Sequence, residues 1–178
     1  MLPEQSQQTQ KIGRTMANAD VVEDKESVER VWRSGPVSGR PGFLIRRLHQ
    51  IHTALFNEEC GKGSVTPIMY SILSALAQTG PIDQTTLARQ IAVDKTNMVD
   101  VLERMRKRGL IRRRTSSKDR RVRLTALTDE GRQVLDGIDE RAERAHRRTI
   151  EDLTADEQRT LMALMTKIIE AKDVPADR

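Results

Sequence analysis

From Phe43 onward the apolar positions of the chain fall into helical spacing. Leu44, Leu48, Ile51 and Leu55 recur at i, i+4, i+7 and i+11, and Ile45 and Phe56 widen the stripe, which predicts an amphipathic helix from Phe43 to about Glu59. Gly61-Lys62-Gly63 ends it. Thr66 caps a second helix with Pro67 in its first position, and Gly80-Pro81 stops it. Asp83 caps a short third helix through about Ile91, expected to bury Leu87 and Ile91. Asp94 caps a fourth helix that runs to Arg108, with Gly109 as its C-terminal stop. The period then changes. Two short extended runs, Leu110 to Arg114 and Val122 to Leu127, flank the polar stretch Thr115 to Arg121 and predict a hairpin. Thr128 opens a fifth helix of about 23 residues, roughly 35 Å long, with Val134, Leu135, Ile138, Ala142 and Ala145 on its apolar side. Thr154 and Glu157 form a capping box ahead of a sixth helix, expected to bury Leu161, Leu164, Met165 and Ile168.

Residues 1–40 have a different texture and read as an N-terminal arm. Met1 to Ala19 is polar and aperiodic and is expected to be disordered. Asp20 and Glu23, with Val21, Val28, Val31 and Trp32 near one side, predict a short helix over about 20–33. Ser34-Gly35-Pro36 and Gly39-Arg40-Pro41-Gly42 break it. The folded domain is then residues 41–172, and its class is mainly α.

Composition narrows the function. No run of about 18 apolar residues is present, so no membrane span is expected. The first twenty residues lack an apolar stretch, so neither is a secretory leader. A lone Cys60 cannot build an internal disulfide framework, which suits a reducing cytosol and predicts a cytoplasmic protein. The total charge of +5 is unevenly spread. Arg104 to Arg123 holds eleven basic residues against the single acid Asp119, a net +10, which leaves −5 on the rest of the chain. A solvated charged face is the plain alternative, but such a basic stripe on an acidic body is the footprint of a nucleic-acid binder. The chain has four Phe, Tyr and Trp residues, none of them inside that stripe, so base stacking on single strands is poorly supported and double-stranded DNA is the better partner.

Two short helices, a tight turn and a basic hairpin, in that order, describe a winged helix-turn-helix over about 66–127. Met98, Val101, Leu102 and Met105 form the inward side of the fourth helix, and Thr96, Asn97, Asp100, Arg104 and Lys107 fall opposite. Thr96, Asn97 and Asp100 can reach base edges, while Arg104 and Lys107 suit flanking phosphates. The positive end of the helix dipole favours phosphate nearby. Thr85 and Thr86, at the start of the third helix, complete the helical candidates. In the wing, Lys118, Arg120, Arg121 and Arg123 are candidates for phosphate or minor-groove contact, and Asp119 can orient an arginine by accepting its hydrogen bonds.

These residues resemble the MarR family of bacterial transcriptional regulators. The likeness is carried by Leu87-Ala88, by Leu102-Glu103-Arg104 leading to Arg108-Gly109-Leu110-Ile111, by Asp119-Arg120-Arg121, and by Leu127-Thr128-Asp129-Glu130-Gly131. It covers about residues 41–171. The resemblance implies a homodimer joined through terminal helices (here about 41–60, 128–150 and 154–171) with a two-stranded wing. It also implies a pseudo-palindromic operator, repression, and release by a small ligand. Asp119 and Arg121 match the family's Asp-x-Arg wing motif, and the resemblance places Lys95, Thr96 and Asn97 at the start of the recognition helix. Asp100 departs from the family's pattern, since many relatives carry a basic residue there; it could accept from a cytosine amine or face a neighbouring arginine.

The run Pro41 to Gln50 resembles the branch that responds to aromatic acids or their coenzyme A thioesters. At 100° per residue His52 lies at about 80° from Leu44, within the apolar arc, and His49 lies at about 140°, on its border. Such a histidine is either a satisfied core residue or a ligand-facing one. His49 and His52 are candidates to hydrogen-bond a carboxylate or carbonyl, Arg46 to pair with an anion, and Tyr70 to join them. The His49-x-x-His52 spacing also suits metal, but no Cys or acid completes a set, so no metal or cofactor is expected. Glu58 and Glu59 beside Cys60 disfavour its thiolate and hence a redox role. The sequence holds no Gly-rich phosphate loop or nucleophile–base motif, so no enzyme is expected, and the competing reading is a winged helix used for protein contacts.

Overall fold

A computed structural model describes residues 33–63, 65–116 and 121–172, so the arm before Arg33, including the expected helix over 20–33, lies outside the described residues. The chain forms two compact units, Met1–Leu44 and Ile45–Arg178. In the first, Ser38 N–H donates to the Gly35 carbonyl (3.2 Å) and Arg40 N–H to that of Val37 (3.0 Å), successive turns set by Gly35, Pro36 and Gly39.

The elements follow the expected order. Helix α1 spans Pro41–Cys60, α2 Pro67–Thr79, strand β1 Ile82–Asp83, α3 Gln84–Gln90, α4 Lys95–Lys107, β2 Ile111–Thr115, β3 Arg123–Leu127, α5 Asp129–Thr149 and α6 Ala155–Lys172. Helix α1 starts two residues earlier than Phe43. Pro41 sits in its first turn, where a missing N–H costs nothing, rather than breaking the chain before it. The caps behave as their chemistry requires. Thr66 Oγ1 accepts from Met69 N–H, Asp83 from Thr85 and Thr86, Asp94 from Asn97, and Thr128 from Gly131. Helix α4 ends in a Schellman motif: Leu110 N–H donates to the Met105 carbonyl and Gly109 N–H to that of Arg106, both at 3.0 Å. Gly109 adopts φ +72°, which a glycine supplies without steric penalty.

The two-stranded wing forms as expected from β2 and β3, and a third strand that the spacing did not show joins it. The sheet has three antiparallel strands in the order β1-β3-β2, with Ile82 opposite Thr125 on one side of β3 and Arg113 opposite Thr125 on the other. A two-residue strand after Pro81 is too short to show alternation, and its partner lies more than forty residues away.

The core gathers Phe56 from α1, Ile72, Leu73 and Leu76 from α2, Leu87 and Ala88 from α3, Met98, Val101, Leu102 and Met105 from α4, and Leu135, Ile138, Ala142 and Ala145 from α5. Ile91, expected to be buried, only packs against its edge, and Ala88 takes the inner place. The larger departure is α6. No residue of that helix is buried: Leu164 is 54% exposed and Ile168 62%, and Leu161 and Met165 are only half-covered. In α1, Ile45 and Ile51 are exposed as well. Periodicity correctly located the apolar sides, but nothing within the described chain covers them.

Gly131 ties the C-terminal helices to the winged part. A Cβ there would stand 2.1 Å from the Leu110 carbonyl oxygen, a backbone atom that has no room to yield. Gly137, one and a half turns on in the same helix, faces open space. Gly131→Ala should lower the unfolding free energy by roughly 2 kcal/mol or more, whereas Gly137→Ala should raise it by about 0.5–1 kcal/mol. Denaturant titration of both variants checks this, and equal effects would refute the close approach.

Candidate nucleic-acid interface and aromatic cluster

Helix α4 presents Thr96, Asn97, Asp100, Arg104 and Lys107 to solvent, opposite its buried side; Lys95 is its first residue. The local chemistry of its first turn differs from the expectation. Asn97 Nδ2 donates to Asp94 Oδ2 at 2.5 Å while Asn97 N–H donates to Oδ1 at 3.0 Å. The Asn97 amide is therefore engaged in capping, and the Asp94 carboxylate already occupies the positive end of the helix. That set of bonds, the backbone one foremost, holds the Asp94 carboxyl below the usual carboxylate range. At α3, Thr85 is exposed with its N–H on Asp83, and Thr86 gives both its N–H and its hydroxyl to Asp83, the hydroxyl at 2.7 Å.

The basic residues continue past α4. Arg106 is committed to Glu103 by two hydrogen bonds of 2.9 and 2.7 Å. Arg104 and Lys107 stay exposed. Along β2, Arg112, Arg113 and Arg114 are all exposed, three consecutive cations that site reasoning from the sequence had passed over, although the same charge count contained them. Arg123 opens β3 and donates to Thr115 Oγ1 across the hairpin at 2.7 Å, and Arg121 is exposed in the turn before it. Lys118, Asp119 and Arg120 lie outside the described residues.

The ligand candidates divide. His52 is half-buried, and its ring stacks on His146 of α5 with centroids 4.8 Å apart. Phe56 and Tyr70 extend the cluster, 5.8 Å centroid to centroid. His52 Nδ1 lies 2.9 Å from Thr149 Oγ1, and the same hydroxyl donates to the Ala145 carbonyl at 2.8 Å. With its single proton used there, Thr149 accepts from His52, which puts the neutral imidazole's proton on Nδ1 and leaves Nε2 as an acceptor. Burial first, then the His146 and His49 charges, keep the His52 pKa below that of an ordinary histidine. The Tyr70 hydroxyl donates to Asp139 at 2.8 Å, and burial with that bond pushes its pKa up to about 12. Arg46 and His49 are exposed on α1, six and three residues before His52. His146 was not anticipated. Its only sequence signal is its place on α5 between Ala142 and Thr149, one turn from each.

Helices α1 and α5 are further joined by charge. Arg148 bonds Glu58 at 3.0 Å and Glu59 at 2.8 Å, and Arg144 bonds Glu59 at 3.1 Å. Those arginines hold the Glu59 carboxyl below its usual range. Cys60 next to it is buried, and it is chiefly burial that pushes its thiol up. Among the described residues no helix is long and apolar enough to cross a membrane.

The comparisons with known proteins agree with this arrangement. The MarR family profile matches residues 65–122, from just before α2 to the residue before β3. The HTH-type transcriptional repressor NicR of Pseudomonas putida is 29% identical over 77% of this chain and 87% of its own length. Transcriptional regulator HosA of Escherichia coli is 31% identical over 70% of this chain and 91% of its own. A solved structure of Bordetella bronchiseptica BpsR, described as showing how 6-hydroxynicotinic acid regulates its DNA binding, superposes with a TM-score of 0.71 at 28% identity, covering 75% of this chain and 97% of that one. The curated relatives are named as regulators of transcription, not as enzymes. The order of helices, the basic wing and these matches together place the chain in the MarR family of transcriptional regulators.

Proposed function

We propose that this regulator is a cytoplasmic repressor that binds a pseudo-palindromic operator as a homodimer and is released by a small aromatic acid or its acyl-CoA thioester. The observation that carries the reading is the run of exposed cations from Arg104 and Lys107 through Arg112, Arg113 and Arg114 to Arg121 and Arg123, along the end of the groove-facing helix and both strands of the wing. Arg104 and Lys107 serve phosphates beside the groove; Thr96 and Asp100 read base edges; Asn97 does so only by leaving Asp94. Lys95, Thr85, Thr86 and the wing-tip residues Lys118, Asp119 and Arg120 belong to the same proposed surface.

Dimerisation is supported by the uncovered apolar sides of α1 and α6. Exposed clusters of this kind need a partner, and a second copy joined by a two-fold axis would set two α4 helices about one DNA turn, roughly 34 Å, apart. NicR carries the name of a repressor, and BpsR responds to an aromatic acid, which supports the same response here. The effector site is the cluster of His52, His146 and Tyr70, with Arg46 and His49 beside it. In this site neutral His52 offers Nε2 as an acceptor to a ring hydroxyl; to meet a carboxylate it must take up a proton. Bound effector favours a conformer with mis-spaced α4 helices, and operator affinity falls by the ratio of its affinities for the two states. The raised thiol of Cys60 favours this reading over a redox switch.

Two measurements test the reading. Arg121→Ala should weaken operator binding and reduce the slope of log affinity against log salt by about one for each protomer; an unchanged slope removes Arg121 from the contact set. Titration of the operator complex with hydroxylated benzoates, nicotinates and their thioesters should find a releasing compound. His52→Leu should then raise the concentration needed by about tenfold, the worth of one hydrogen bond to a partly buried group, while operator affinity stays unchanged. Undiminished release by that variant would move the effector site elsewhere.

A further inference from the structure

We propose that Val99 reads the C5 methyl of a thymine in each operator half-site. The inference rests on α4 being the groove-facing helix. Between Pro81 and Leu127, Val99 is the one large apolar side chain exposed among the described residues, at 48%. The inward side of α4 is complete without it, since Met98, Val101, Leu102 and Met105 are each buried to 4% exposure or less. A β-branched residue is also a poorer helix former than a straight-chain one, so neither packing nor helix formation calls for valine here.

Its neighbours sharpen the assignment. Val99 follows Thr96 by three residues and precedes Glu103 by four, about 60° and 40° round the helix from them. Glu103, the nearer of the two, is held by Arg106 and so committed within the helix. A valine offers no hydrogen bond. In the major groove the feature that rewards an apolar contact is the thymine methyl, which stands out from the base edge toward the groove wall. Val99 lies to one side of the outward centre of α4, where a helix lying in the groove meets that wall. A cytosine in the same place has no methyl to cover the side chain.

The test uses the full chain and an operator selected from random duplexes, with each thymine of the half-site replaced in turn by deoxyuridine, which lacks only the methyl. At one symmetry-related position the replacement should weaken binding about fourfold per half-site, as expected for one methyl-sized group returned to water. Val99→Ala should weaken binding to the thymine duplex by a similar factor and bind the thymine and deoxyuridine duplexes equally. The exposure of Val99 leaves folding of this variant intact, which its thermal melt should show. Indifference of the unmodified chain to deoxyuridine at every position overturns the inference alone, as does a selected half-site without thymine. Full deoxyuridine sensitivity retained by Val99→Ala assigns the contact to another residue. If the chain selects no duplex at all, the operator reading fails and this inference falls with it.

Discussion

The junction at Thr128 is the constraint on which the other parts depend. Its hydroxyl donates to the Gly109 carbonyl at 2.6 Å and accepts from Gly131 N–H at 3.0 Å, while its own N–H donates to the Leu110 carbonyl at 3.2 Å. One residue thus caps α5 and holds the end of α4. Gly109 turns the chain there, and Gly131 lets the backbone of α5 reach the start of β2. Because the chain leaves α4 and enters α5 at almost the same point, a tilt of α5 must be felt by α4. Thr128 and Gly131 in the Leu-Thr-x-x-Gly pattern therefore have a mechanical reading: the hydroxyl bridges and the missing Cβ makes room.

A second connection runs along the other end of α5. Glu59 of α1 accepts from Arg144 and Arg148, and His52 of the same helix leans on Thr149 and His146. The ion pairs are largely at the surface, where water and salt screen them, so they add little to stability. Their value is geometric: they fix the rotation of α1 against α5 and thereby the stacking of the two imidazoles. The stacked pair thus rests on the same helix that Thr128 joins to α4.

Helix ends and the wing were legible in the sequence because their determinants are local. A Thr, Asp or Gly next to an apolar period says where a helix begins or stops, and Asp83, Asp94, Thr128 and Gly109 each did so. What was not legible depends on distant partners. The two residues of β1 become a strand only because β3 passes beside them. Leu164 and Ile168 show the right period, yet a period reveals an apolar side without revealing what covers it. Asn97 read as outward-facing, correctly, but its exchange with Asp94 is a choice between two short-range bonds that spacing cannot make. His146 stands 94 residues from His52, and only packing of α1 on α5 brings the rings together.

Strand β2 lies at the edge of its sheet, with one side of its backbone unpaired by the strands described here. Open edges of this kind invite pairing with the same strand of another copy and so seed aggregation. Arg112, Arg113 and Arg114 make such an approach repulsive, because two copies would set three cations against three. The same arginines therefore work against edge-to-edge pairing of the wing when no polyanion is near. The property that turns the wing away from its own kind is also the one that suits a polyanion lying along that edge.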